Sequence, residues 1–156
     1  MLLNDFLEND LVDIKSTAAK NWRDAIKQSG EKLIAHQYIR PEYMTEVISN
    51  VEKNGPYIVI VPGVAMPHAL AESENVLGTA ISFTKFPEPV IFDKNNPDSS
   101  AQLFFTLAAK DPDQHLANIS ELSDLLMTDG LIDRLLTVQN LSDYKTLLDE
   151  ENKKRG

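Results

Sequence analysis

The chain has 156 residues, 42% of them hydrophobic and 25% charged, a composition that fits one compact domain over 1–156 and excludes a disordered tail. No run approaches the roughly 20 consecutive apolar residues that cross a bilayer, and without a cysteine there is no disulfide, thiolate nucleophile or sulfur-based metal site. The 24 acidic residues outnumber the 15 basic ones for a net charge of -9, and the basic residues form no stripe, which argues against nucleic acid as a partner.

Asp5, Glu8, Asp10 and Asp13 stand where a secretory signal would need a basic and then an apolar stretch, so the expected localisation is cytoplasmic, with no direct membrane insertion. From Asn21 to Ile39, Trp22, Ala25, Ile26, Leu33 and Ile34 recur at helical spacing, and Gly30 divides the segment into one weakened helix or two short ones. Pro41 suits a first helical turn. Tyr43, Met44, Val47, Ile48 and Val51 then form an apolar stripe that stops at Asn54-Gly55-Pro56.

Tyr57 to Val61 (YIVIV) predicts a strand covered on both faces, because five successive apolar, mostly β-branched residues leave no solvent face. Residues 77 to 86 and 101 to 109 predict two more strands, and residues 90 to 92 a shorter one after a turn at Pro87-Glu88-Pro89. Asp111-Pro112-Asp113-Gln114 reads as a helix start, with Asp111 as cap and Gln114 reaching back to it. Leu116, Ile119, Leu122, Leu125 and Leu126 continue that helix. Gly130 interrupts the pattern before Leu131 to Leu136, and Ser142 is the expected cap of a last helix carrying Leu147 and Leu148. The sum is an α/β layered domain.

Phosphate loops, nucleophile elbows, zinc-protease and calcium motifs are missing, which leaves three histidines. His68 ends Pro62-Gly63-Val64-Ala65-Met66-Pro67-His68, where Gly63 admits a positive φ and Pro67 stiffens the approach, so its imidazole is held near a strand end as a nucleophile would be. A solvated histidine in a tight turn is the plain alternative. His115 falls in the first turn of its helix, in line with Ile119, Leu122 and Leu126; it is either a half-buried histidine bonded to a carbonyl or a partner for an anion at the helix start. His36 reads as a surface or packing residue, and the three histidines have no metal-ligand spacing.

Residues 54 to 70 (NGPYIVIVPGVAMPHAL) resemble the IIA component of the phosphoenolpyruvate-dependent sugar phosphotransferase system, of the mannitol/fructose type and its ascorbate-like branch. Residues 103 to 126 (LFFTLAAKDPDQHLANISELSDLL) resemble that family's second histidine segment. The resemblance implies a three-layer α/β/α sandwich with a mixed sheet and flanking helices. It implies a phosphotransferase in which His68 accepts a phosphoryl group and His115 bonds the phosphate or tunes the imidazole, with no cofactor and no metal. The implied donor is the phosphorylated histidine-containing carrier protein, and the implied acceptor a IIB component of a membrane sugar permease. Ascorbate is the compound the branch points to, with a pentitol or another sugar derivative as alternatives.

Two positions depart from the family pattern. Where an arginine often follows Pro-His-Ala this chain has Leu70, and the helix before the first histidine ends Ser49-Asn50-Val51-Glu52-Lys53, with Lys53 as the nearby cation in place of an arginine. The departure motivates a second reading, a regulatory IIA-like module whose phosphorylation controls another protein. A third has both histidines structural in a non-catalytic binding domain. Val64, Met66, Ala69 and Leu70 flank His68 and are the candidate apolar centre of a docking surface, with Val64 and Met66 alternatively facing the core.

Overall fold

A computed structural model describes residues 2–69 and 73–155. Its elements in chain order are α1 (Leu2–Glu8), β1 (Val12–Ile14), α2 (Trp22–Ser29), α3 (Glu31–Ala35), α4 (Pro41–Asn54), β2 (Val59–Val61), β3 (Gly63–Ala65), β4 (Ala80–Ile91), β5 (Ser100–Ala108), α5 (Pro112–Leu126), α6 (Leu131–Leu136) and α7 (Leu141–Arg155). The strands form one five-stranded sheet in the order β1-β4-β5-β3-β2. It is mixed: β1/β4 and β3/β5 are parallel, β4/β5 and β2/β3 antiparallel.

Alternation along β4 and β5 explains why both sheet faces need cover. Ile81, Phe83, Leu103, Phe105 and Leu107 turn to one face, where they join Leu3, Phe6, Leu122, Leu131 and Tyr144. Phe86, Phe104 and Ala108 turn to the other, against Ile26, Leu33, Tyr43 and Val47. Each fully buried Leu, Ile, Val or Phe among them contributes about 1.5–3 kcal/mol relative to exposure. Helices α2, α3 and α4 thus form one layer and α1, α5, α6 and α7 the second, the expected three-layer α/β/α sandwich.

Helix α4 runs between the Pro41 and Asn54 signals as its stripe predicts. Gly30 separates α2 from α3; a Cβ there would stand 2.6 Å from Met44 Sδ, so the break also lets the Met44 side chain of α4 pack against it. Asp111 caps α5, its side chain accepting from Gln114 N at 2.9 Å. The Gln114 side chain, however, bonds the Thr79 hydroxyl rather than reaching back. For α7 the cap is Asn140, whose Oδ1 accepts from Asp143 N at 2.9 Å, not Ser142.

The strand expectations need three corrections. YIVIV is not buried on both faces: Ile58 is, but Ile60 and Val61 are 41% and 43% exposed, because β2 is an edge strand with a single neighbour. Pro62-Gly63, with Gly63 at φ 93°, turns the chain into β3, an inner strand that the sequence reading had as turn. Pro87-Glu88-Pro89 does not end a strand. β4 continues through it, and the register with β5 shifts between Lys85 and Val90, where prolines have no N–H to give the ladder.

Candidate functional site

Beyond Ala65 the chain leaves the sheet, and main-chain bonds from both flanks hold the departing segment. Met66 N–H donates to Ile58 O at 2.8 Å, and Leu107 N–H donates to Pro67 O at 3.0 Å. Tyr43, buried on α4, donates its hydroxyl to Leu107 O at 2.8 Å and accepts from Ala69 N at 3.0 Å. Tyr57 donates to His68 O at 2.6 Å. Burial pushes the Tyr43 hydroxyl up to about 12, so it stays a neutral donor across the physiological range.

His68 is half-buried, with Nδ1 2.6 Å from Met66 O. A carbonyl only accepts, so Nδ1 carries the proton and the neutral ring presents its lone pair at Nε2. The imidazole pKa is lowered, first by burial and further by His115, while the Met66 contact opposes the shift. Those effects keep the ring neutral, the form in which an imidazole nitrogen attacks.

Helix α5 brings His115 to the same place. Asn118 Nδ2 donates to Ala108 O at 3.2 Å, seating the helix over the end of β5. The His68 and His115 ring centroids are 5.4 Å apart and tilted by 46°, and Tyr57 stands edge-on to His68 at 5.3 Å and 88°. The first turn of α5 is a poorer anion site than its position implies. Pro112 has no N–H, Gln114 N is taken by the Asp111 side chain and His115 N donates to Asp111 O at 3.0 Å.

The structure therefore unites His68 and His115 and leaves His36 elsewhere: its Nε2 lies 3.0 Å from Asp10 Oδ2, beside Lys32, on the surface. Val64, Met66 and Ala69 are 0%, 5% and 8% exposed, so they belong to the cores and do not form an apolar docking centre. Leu70 lies outside the described residues. Among the described residues, Tyr57, edge-on to His68, is 37% exposed, and Leu116, next to His115 in sequence, is 65% exposed. Lys53 is exposed in the last turn of α4.

Sequence reasoning missed several neighbours of the site. Tyr43 read as one more member of the α4 stripe and Tyr57 as part of a strand, since periodicity says nothing of where a hydroxyl goes. Glu46 accepts from Ser73 Oγ at 2.5 Å and Asn75 Nδ2 at 3.0 Å, tying α4 to the segment after the histidine. Arg40 donates from Nη1 to Glu74 O at 2.7 Å, a cation on that segment that no local motif marked.

Comparison with known proteins bears on what this pair of histidines does. Residues 5–151 match the family model described as phosphoenolpyruvate-dependent sugar phosphotransferase system, EIIA 2. The chain is 34% identical over 140 residues to the mannitol-specific cryptic phosphotransferase enzyme IIA component of Escherichia coli K12, covering 90% of this chain and 92% of that one. The solution structure of the Escherichia coli protein of that name superposes with a TM-score of 0.78, covering 96% of this chain and 97% of the other. The ascorbate-specific PTS system EIIA component of Salmonella choleraesuis is 31% identical over 154 residues, covering 97% and 98%. A complex of enzyme IIA-mannitol with phosphorylated enzyme IIB-mannitol from Escherichia coli contains a chain that is 25% identical, with a TM-score of 0.72 and coverage of 90% and 95%.

Proposed function

The chain belongs to the phosphoenolpyruvate-dependent sugar phosphotransferase system EIIA 2 family, and from that premise we propose that His68 is its phosphoryl acceptor and His115 the partner of the phosphoryl group. As a IIA component it acts as a phosphotransferase in sugar uptake. The donor in this reading is the phosphorylated histidine-containing carrier protein, and the acceptor is a IIB component, the partner that the mannitol-type structural relative holds in its complex. The reading places the protein on the cytoplasmic side; among the described residues no helix is long and apolar enough to cross a membrane.

The observation that carries the proposal is the contact of His68 Nδ1 with Met66 O. It leaves Nε2 as the nucleophile. In transfer, the Nε2 lone pair forms the new N–P bond while the bond from phosphorus to the donor imidazole breaks and that ring keeps the electron pair. His68 becomes a phosphorylated imidazolium whose Nδ1–H goes on donating to the Met66 carbonyl, which stabilises the positive ring. His115 contributes an N–H toward the equatorial oxygens. Positioning and charge stabilisation carry such a reaction, so the chemistry needs neither metal nor nucleotide.

Transport is favoured over the regulatory alternative because relatives across nearly the whole chain are named as sugar-specific IIA components. Their names divide between mannitol and ascorbate, and the proposed cargo keeps to that range, with ascorbate first.

The test is incubation with labelled phosphoenolpyruvate, enzyme I and the carrier protein. The wild-type protein should take acid-labile, base-stable label, His68→Ala none, and His115→Ala label at a rate lower by about 10²-fold, the usual loss of one transition-state donor. Label persisting on His68→Ala would overturn the assignment of the acceptor, and an unchanged rate in His115→Ala would remove its role.

A further inference from the structure

The peptide unit joining His68 to Ala69 is gripped at both of its polar ends by tyrosine hydroxyls. Tyr57 donates to the carbonyl at 2.6 Å, and the amide N–H of the same unit donates to Tyr43 Oη at 3.0 Å. The two come from different elements: Tyr43 is 2% exposed on α4, whereas Tyr57 lies just before β2 at 37% exposure. We infer that Tyr57 and Tyr43 are positioning residues for phosphoryl transfer, holding the His68–Ala69 peptide so that Nδ1 stays on Met66 O and Nε2 faces the donor. The inference rests on His68 being the acceptor.

The geometry gives the reason. The peptide before His68 is fixed by Leu107 N on Pro67 O at 3.0 Å, so the backbone motion that still turns the ring is rotation about the His68 φ, which swings Cβ and the next peptide plane together. The tyrosine pair removes that freedom from both ends of the next peptide plane. The Nδ1 contact reaches back only two residues, to Met66 O at 2.6 Å, and a bond that local is broken by a modest turn of the backbone carrying the ring. Once it breaks, the proton is free to move to Nε2 and occlude the attacking lone pair. Neither hydroxyl reaches phosphorus in this scheme. Tyr57 also packs edge-on against the imidazole at 5.3 Å, so its ring limits side-chain swing while its hydroxyl limits main-chain swing.

Tyr57→Phe in the full chain separates these contributions, because phenylalanine keeps the ring contact and loses only the hydroxyl. Two-bond ¹⁵N–¹H correlation spectra of the His68 ring at neutral pH, taken without any donor, report the tautomer. Rapid-quench single-turnover labelling reports the transfer step. The wild-type ring should be the Nδ1–H tautomer; Tyr57→Phe should show a detectable Nε2–H population and a roughly tenfold slower transfer step, about one lost hydrogen bond. KM for the carrier protein and Tm should stay as in the wild type.

Tyr43→Phe strips partners from two main-chain groups, Leu107 O and Ala69 N–H, and is expected to lower Tm as well as the rate, so Tyr57→Phe decides. A Tyr57→Phe protein with the wild-type tautomer and rate would overturn the inference. So would a raised KM with an unchanged transfer step, which would make Tyr57 a docking residue only. Wild-type label on a residue other than His68 would sink the acceptor assignment instead, and the donor-free spectra would still show whether the hydroxyls set the tautomer.

Discussion

Three influences act on the His68 imidazole, and one opposes the other two. Burial disfavours the charged ring and is the largest; Met66 O, accepting from Nδ1, favours the charged ring; His115 sides with burial. The balance lies below the ordinary histidine value of 6.5, so at pH 7 the ring holds its neutral form more firmly than an ordinary histidine does. The rate of phosphoryl uptake should therefore be flat from pH 7 to 8 and fall only on an acid limb centred below 6.5. Removing His115 takes away one of the two lowering influences. An NMR titration of His115→Ala should find the His68 pKa moved up toward 6.5, and an unchanged or lower value would contradict the contact. The sign for stability follows: between the folded and unfolded pKa values the unfolded chain binds the proton more readily, so this group's contribution is complete above about 6.5 and declines as pH falls.

At the scale of elements, the turn that launches β3 is the most exacting piece of local geometry. Gly63 sits at φ 93° with nothing within 4 Å of where a Cβ would stand, so a side chain there meets backbone strain and no clash. Gly63→Ala should lower the unfolding free energy by about 1–2 kcal/mol in a urea titration, with His68 still labelled. An unchanged midpoint would show that the hairpin relaxes. The residues that do local work were the legible ones: Pro41 and Gly55 bounding α4, Asp111 capping α5, Gly30 and Gly130 as breaks. Periodicity failed where burial is decided by neighbours distant in sequence. Ile60 and Val61 have the same chemistry as core strand residues, and only the sheet order puts them at an edge. The three-residue β1 and β3 are too short to show a period, and their pairing with β4 and β5 is a tertiary fact. The histidine pair was legible through its motif, whereas the tyrosine hydroxyls that hold it were not, because each meets its partner across the fold.

For the whole molecule, the site belongs to neither helix layer alone. Tyr43 comes from the layer of α2, α3 and α4, His115 from the layer of α1, α5, α6 and α7, and His68 leaves the sheet between them past the C-terminal end of β3, where ligands gather in α/β folds. This arrangement separates stability from function in a testable way. Tyr144 on α7 is fully buried and donates to Leu3 O at 2.6 Å, joining the last helix to the first, and its ring packs on Phe83 at 5.9 Å. Tyr144→Phe keeps the packing and loses that one hydrogen bond, a loss of about 0.5–1.5 kcal/mol that should appear as a Tm lower by roughly 1–6 °C. The α1–α7 junction shares no hydrogen bond with the peptide that Tyr43 and Tyr57 hold, so the rate of phosphoryl uptake by Tyr144→Phe, measured well below its Tm, should equal that of the wild type. A slowed transfer with an intact fold would mean that the α7 layer sets the position of α5, and through it of His115.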